Sequence, residues 1–365
     1  MMAANPCSRA VESYPYFIYP IYGICAIVPP YAIVPPYMLR EILARGTPSQ
    51  QKWAGQTLYV SKQFRERREL ANNFPTRRPK GEKHRLIYDA FHSGELPIVP
   101  VREEGDRPSS DPAVNEAYDG LGYTYDFYYR EYQRHSIDDR GMDLRATVHY
   151  DANYENAFWD GSQMVFGDGG DIFQRFTKAI DVIAHELTHG VVQNESGLVY
   201  WEEPGALNES LCDVFGSLVK QWVFQKTADE ADWIIGADLF QPSVKGIGIR
   251  SLKAPGTAYD DPLLLGNDPQ PSHMRDFYWS DEGDEVHINS GIPNHAFYLA
   301  AMEIGGYAWQ KAGKIWYLAL RDKLRPKSNF RQAAEFTLAI AAEIYGEYSR
   351  ECKAVRYGWE TVGVL

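Results

Sequence analysis

His185-Glu186-Leu187-Thr188-His189 constrains this chain more than any other stretch. It has the pattern H-E-x-x-H. Successive residues of a helix turn by roughly 100°, so side chains four apart lie nearly one above the other. On a helix, His185 and His189 offer two imidazole nitrogens to one zinc ion. Glu186, offset around the axis, faces the remaining coordination positions, where a water would sit. That is a layout for metal-assisted hydrolysis, with Glu186 taking the water's proton. The bland alternative is a surface helix with two histidines, and the flanks argue against it. Ile180, Val182, Ile183 and Leu187 make one side apolar, as in a buried helix. Buried polar side chains need partners, and a metal supplies one.

Two histidines leave a zinc under-coordinated, because catalytic sites usually carry three protein ligands. The next segment, Gly205 to Phe215, carries Leu207, Leu211, Val214, Phe215 and Leu218 at helical spacing. Glu209 and Asp213 share the opposite face. Glu209 stands 20 residues after His189, room for one helix to end and a second to return. Glu209 is the candidate third ligand. Asp213 is the candidate partner of a ligand histidine's free N–H, fixing its tautomer. The competing reading makes both of them solvated surface acids.

HELTH followed by N-E-x-x-x-D resembles the thermolysin-type neutral metalloproteases, and the resemblance runs from about Tyr88 to Leu365. Asn156-Ala157-Phe158-Trp159 with Met164 to Gly169 resembles that family's substrate-edge strand and the turn after it. Val286 to Gly291, V-H-I-N-S-G, resembles its second histidine motif. The resemblance implies that His287 and Tyr200 steady the oxyanion of the transition state and that Arg250 grips a substrate carbonyl. Asn156 and the Ala157 backbone would pair with an extended substrate, a form of strand addition. Phe173, Val182 and Ile249 would line the pocket after the scissile bond. All three are apolar, so cleavage is expected on the amino side of bulky hydrophobic residues. The activity implied is that of a zinc endopeptidase acting on proteins or peptides, with Glu186 activating the zinc-held water.

Two positions depart from the family pattern. The acid that orients His287 falls at Glu282, with Asp281 beside it, where the family has an aspartate. At the family's double calcium site, Asp181 and Asp232 are kept, but Lys220, Ile234 and Ala237 occupy the other matched positions. Calcium needs many oxygen ligands. A lysine in place of a bridging carboxylate predicts that the double site is absent, leaving one zinc as the metal the sequence supports.

The first 85 residues behave differently from the rest. They carry 13 Lys+Arg against 5 Asp+Glu, a net of +8, so the remainder carries −20 of the total −12. Such asymmetry marks a separable piece, and a basic leader can dock on an acidic body. The leader holds a tandem repeat, Ala26-Ile27-Val28-Pro29-Pro30-Tyr31 and Ala32-Ile33-Val34-Pro35-Pro36-Tyr37. A short helical pattern, Met38 to Leu43, follows and is closed by Gly46. The P-P-Y-M-L-R stretch resembles the short propeptide of protealysin-like members of the family. This implies a zymogen whose own propeptide covers the cleft; proline, lacking an N–H, cannot make the pairing a substrate strand needs, so a proline-rich segment is expected to occupy the cleft without being cut efficiently. A polyproline linker is the plainer alternative. Residues 65–85, rich in Arg and Lys, read as an exposed linker. Cys25 as a zinc-ligating switch is another alternative.

Net charge argues against nucleic acid as a partner. No long apolar run supplies a transmembrane helix. A monomer is expected. Four scattered cysteines show no disulfide or zinc framework. Met1 to Ile21 lacks a basic start before an apolar core and is broken by Pro6, Pro15 and Pro20, so no secretory signal is visible. The chain then either stays in the cell or leaves by a non-signal route; most of the family is secreted, which is the alternative. The expected fold is α+β in two lobes: a leader over 1–75 (boundary within 50–85), a β-rich lobe with the zinc helix over 76–200, and a mainly helical lobe over 201–365. The cleft lies between the lobes. Helical spacing is clearest over 295–322 and 329–348. An idle scaffold that keeps the fold is the main rival, but it would be expected to have lost a ligand or the base. An aminopeptidase would need an acidic anchor for the substrate amine, and none is evident.

Overall fold

A parallel strand pair with a long helical crossover founds the N-terminal lobe. Strand β1 (Arg85–Asp89) is followed by the short β2 (Arg102–Glu103), then helix α3 (Pro112–Tyr132), and the chain returns in β3 (Leu144–Val148). β1 and β3 run parallel with Ile87 opposite Ala146. β4 (Ala157–Trp159) and β5 (Met164–Phe166) complete a five-stranded sheet in the order β2-β1-β3-β5-β4. β4 is an edge strand, antiparallel to β5 with Ala157 opposite Phe166. An edge strand presents unpaired N–H and C=O groups, and here that edge faces the cleft.

The computed structural model describes residues 32–68, 78–152, 154–264, 266–280 and 283–365. Cys25, the first hexapeptide copy, Asp281 and Glu282 lie outside the described residues. Helix α1 (Pro36–Arg45) starts on a proline, whose missing N–H is harmless in a first turn, and stops at Gly46, whose N–H caps Ile42 O. α2 (Pro48–Arg68) follows. The basic run read as an exposed linker is therefore partly structured. α2 extends to Arg68, and Arg85 opens β1 with its guanidinium on both oxygens of Glu104 at 2.5 and 2.6 Å. Arg78 likewise pairs with Asp143 at 3.0 Å.

The N-terminal lobe is also less purely β than its sequence suggests. α3 is capped by Asp111, whose carboxylate accepts from Ala113 N, and it ends on a left-handed Gln133. Its buried face (Ala113, Val114, Ala117, Leu121, Tyr125, Tyr128, Tyr132) packs beneath the sheet.

Helices α4 (Ile180–Asn194) and α5 (Glu202–Phe224) join the lobes, and α6 (Glu285–Asn289), α7 (Gly291–Ile304), α8 (Ala312–Leu318), α9 (Phe330–Tyr345) and α10 (Arg350–Thr361) complete the helical lobe. The stretch 295–322 holds the end of α7, all of α8 and most of a π-helical turn over Ala319–Lys323. It breaks at Gly305 and Gly306, both with positive φ. α9 begins with a reciprocal cap between Asn329 and Gln332. Gly216 lets α4 and α5 touch: a Cβ there would stand 2.6 Å from Asp181 O and 3.3 Å from His185 Cβ.

Candidate active site

α4 carries His185, Glu186 and His189 into a completely buried space, and α5 brings Glu209 and Asp213 to the same place. The Nε2 atoms of His185 and His189 are 3.1 Å apart. Glu209 Oε2 lies 3.6 Å from the first and Oε1 3.4 Å from the second. The outer nitrogens are held as well: His185 Nδ1 sits 2.9 Å from Asp213 Oδ1, and His189 Nδ1 3.0 Å from Asn208 Oδ1. Acceptors near both Nδ1 atoms favour the ring protons there, which turns the two Nε2 atoms toward one another and toward a carboxylate. Such a set repels itself unless a cation sits among it. Zn–N bonds of about 2.0–2.1 Å at a tetrahedral angle put two nitrogens roughly 3.3 Å apart. The residues fit a zinc ion.

Asp213 does more than orient His185. Arg250 donates to it in a two-pronged pair, Nε to Oδ2 and Nη2 to Oδ1, each 2.8 Å, and Asn294 Nδ2 donates to Oδ2 at 2.9 Å. Burial would push the Asp213 carboxyl up, but the Arg250 guanidinium and the His185 ring outweigh it and hold it down at about 2. Asn294 carries no motif of its own, and Asn208 enters the sequence reading only as the first residue of N-E-x-x-x-D, without a role. Its place in that motif, directly before the ligand Glu209, is the sequence signal for it.

Glu186 lies on the sheet side of the site, where its Oε2 accepts Trp159 N–H at 3.1 Å. His287 comes from α6, which packs against α5. Its Nε2 is 3.2 Å from Tyr200 OH and its Nδ1 3.0 Å from Glu209 Oε2, and Tyr200 OH also donates to Glu209 Oε1. Glu282 and Asp281, expected to orient His287, are outside the described residues. Phe173, Val182 and Ile249 are fully buried and belong to one apolar cluster.

The leader runs through this cleft. Ala32 bridges Phe158 in antiparallel fashion, and Ile33 N–H donates to Ala157 O at 3.2 Å. Val34 N–H donates to Asn156 Oδ1 at 3.0 Å, Asn156 Nδ2 donates to Val34 O at 3.2 Å, and Arg250 Nη1 donates to Ile33 O at 3.1 Å. The expectation that a proline-rich segment occupies the cleft, unable to pair and so resistant to cutting, does not match the contacts. Instead, the residues before the prolines pair, and Pro36 starts α1.

At the matched calcium positions, Lys220 Nζ lies 3.3 Å from Asp181 Oδ2, 2.8 Å from Asp232 Oδ2 and 3.3 Å from Ile234 O.

Residues 92–193 match the family described as thermolysin metallopeptidase, catalytic domain, and residues 196–364 match its alpha-helical domain. The chain belongs to the thermolysin metallopeptidase family and is a metallopeptidase. Within that family it is similar to an extracellular metalloprotease of Pectobacterium carotovorum subsp. carotovorum, 49% identical over 91% of this chain and 96% of the relative. It is 46% identical to the protease PrtS of Photorhabdus sp., over 91% of each. Its fold matches the precursor of protealysin, a metalloproteinase from Serratia proteamaculans, with a TM-score of 0.84 and 50% identity over 92% of this chain and 99% of that one. The expected α+β thermolysin-like fold is thus the fold of the chain.

Proposed function

We propose that the chain is a zinc endopeptidase made as a zymogen. The observation that carries this is the convergence of two Nε2 atoms and the Glu209 carboxylate beside the Glu186 base, next to the edge strand β4. His185, His189 and Glu209 would hold one zinc, which when bound acts as a Lewis acid on water and on the substrate carbonyl. Glu186 takes the water's proton and passes it to the leaving amine. His287 and Tyr200 donate to the oxygen on which negative charge grows. Arg250, held by Asp213, and Asn156 align an extended peptide along β4. Phe173, Val182 and Ile249 make the pocket for a bulky apolar residue on the carbonyl-distal side of the cut bond.

The leader, set at residues 1–75, covers the cleft until it is removed, and the lobes at 76–200 and 201–365 form the catalytic part. Two relatives, the Pectobacterium and Serratia marcescens proteins, carry "extracellular" in their names, which supports export of this chain. Lys220 supplies the positive charge that calcium would bring between Asp181 and Asp232, so the double calcium site is read as absent. The test is peptide hydrolysis by leader-free protein, wild type and Glu186→Ala, with and without a chelator. A base of this kind contributes ~10²–10⁴-fold, so the variant and the chelated enzyme should both fall by at least that range. Equal activity in Glu186→Ala would sink the mechanism.

A further inference from the structure

The leader's hydrogen bonds fix which of its peptide bonds sits at the reacting position. The pairing with β4 is antiparallel, so passing from Val34 to Ala32 is passing from Asn156 toward Trp159. Trp159 N–H is bonded to Glu186. Arg250 grips the carbonyl of Ile33, and Ala157 accepts the N–H of the same residue. The peptide unit that precedes Ile33 is therefore the one carried to the Glu186 end. Ile33 itself is fully buried in the cluster that contains Phe173, Val182 and Ile249. Strand alternation sends the Ala32 side chain the other way, into the small cluster with Phe158, Tyr150 and Tyr154. Neither residue flanking this bond is a proline. Pro35 comes two residues later, where its missing N–H removes no contact to the bond.

Resting on the endopeptidase reading above, we propose that the chain holds its own Ala32–Ile33 bond as a substrate and hydrolyses it, and that the segment beginning at Ile33 stays in the cleft as a bound product. Water adds its oxygen to the Ala32 carbonyl carbon and the C–N bond breaks. Glu186 carries the water's proton to the departing Ile33 amine, leaving a carboxylate on Ala32. No other reactant is needed. Retention follows from where the contacts lie. Beyond the bond, Ile33 and Val34 are held by Arg250 and Asn156. Tyr37, Met38, Leu39 and Ile42 are buried, and Arg40 pairs with Asp284. The cut thus leaves every contact from Ile33 through α1 in place, and activation needs a second event that removes that segment.

The test uses the full-length chain with zinc, as wild type, Ile33→Asp and Glu186→Ala, followed over time by intact mass and N-terminal sequencing. Leader-free protein is assayed in parallel on an added peptide. Wild type should lose residues 1–32 and show a new amino terminus at Ile33, while still hydrolysing the added peptide at least tenfold more slowly than the leader-free form. Ile33→Asp should lack the cut at that bond, and Glu186→Ala should stay intact. Leader-free protein that hydrolyses the peptide, beside a wild-type chain that never shows an Ile33 terminus, overturns the proposal and leaves the endopeptidase reading standing. An Ile33 terminus in Glu186→Ala overturns it too, since the cut would then be foreign. Leader-free protein with no hydrolysis removes the endopeptidase reading and the proposal together.

Discussion

Lys220 places an ammonium between two carboxylates and a carbonyl oxygen, and Asp181 is only 2% exposed. Burial would lower the lysine's pKa, but Asp181 and Asp232 more than offset this and raise it, so the charge stays on. Replacing it by a carboxylate, Lys220→Glu, should leave three acids facing one another and destabilise the chain by ~1–3 kcal/mol, less than for a fully buried pair because Asp232 is half exposed. Three carboxylates and a carbonyl are also calcium ligands. Millimolar calcium should then raise the melting temperature of Lys220→Glu and leave wild type unmoved at this site; a wild type that gains as much would refute the reading of Lys220 as the ion's replacement. His149 makes a second charge-dependent joint. Its Nδ1 lies 2.8 Å from Asp168 and its Nε2 2.7 Å from Asp111, the cap of α3. The bond to Asp168 raises the ring's pKa most, burial opposes it, Asp111 adds to it, and the result is about 9 against an ordinary 6.5. The protonated ring binds better folded than unfolded, so its contribution is complete below pH 6.5 and is lost as pH rises through about 9. Wild type should exceed His149→Gln by ~1–2 kcal/mol at pH 6, a figure discounted for partial solvation, and match it at pH 10. Denaturant melts at the two pH values check this, and a gap that widens with pH would contradict it.

At the scale of elements, α4 and α5 work as a pair whose spacing sets the ligand geometry. Gly216→Ala would drive a methyl against Asp181 O and the His185 Cβ. Overpacking of this kind costs ~1–3 kcal/mol. Because the contact is on a ligand histidine, zinc affinity measured against a competing chelator should fall along with the melting temperature. If melting falls and affinity holds, the helices tolerate the shift without moving the ligands. These two helices were the legible part of the fold. Ligands four apart on one helix, and an acid pair four apart on the next, are local patterns that survive without tertiary knowledge. α3 was not legible in the same way. Its Tyr123 to Tyr132 run is aromatic, with strand-like composition, and it contains Gly120 and Gly122. It is helical because its apolar stripe packs on β1, β3 and α4, a context no local window holds. The network beyond the ligands was half legible. Asp213 stood out by its spacing from Glu209. Its coupling to Arg250 and Asn294 joins residues from three distant segments and depends on the packing of the helical lobe. The leader's helix was legible from Pro36 and Gly46, whereas the pairing of Ala32 to Val34 with β4 needed the sheet order that leaves β4 at an edge.

For the molecule as a whole, the charge contrast between a basic leader and an acidic body suggests electrostatic docking, and the described contacts qualify that. Ile33, Val34, Met38, Leu39 and Ile42 are each 1% exposed or less. The strand pairing and the Arg250 bond to Ile33 O are short-range. The ion pair between α1 and the body is Arg40 with Asp284, and Gln56 adds a hydrogen bond to Asp151. Salt screens exposed charges over a Debye length of ~10 Å at 0.1 M and leaves apolar burial almost untouched. A peptide of residues 26–68 added to leader-free protein should therefore inhibit it at every ionic strength, with its inhibition constant rising less than about tenfold between roughly 0.05 and 0.5 M salt, since exposed pairs contribute ~0–1 kcal/mol each. The same peptide carrying Ile33→Asp should bind ~10²-fold or more weakly, because it would bury an unpaired carboxylate in an apolar cluster. Inhibition assays across salt separate the two sources of affinity. A steep salt dependence with little effect of Ile33→Asp would mean that charge, rather than the strand in the cleft, holds the leader to the enzyme.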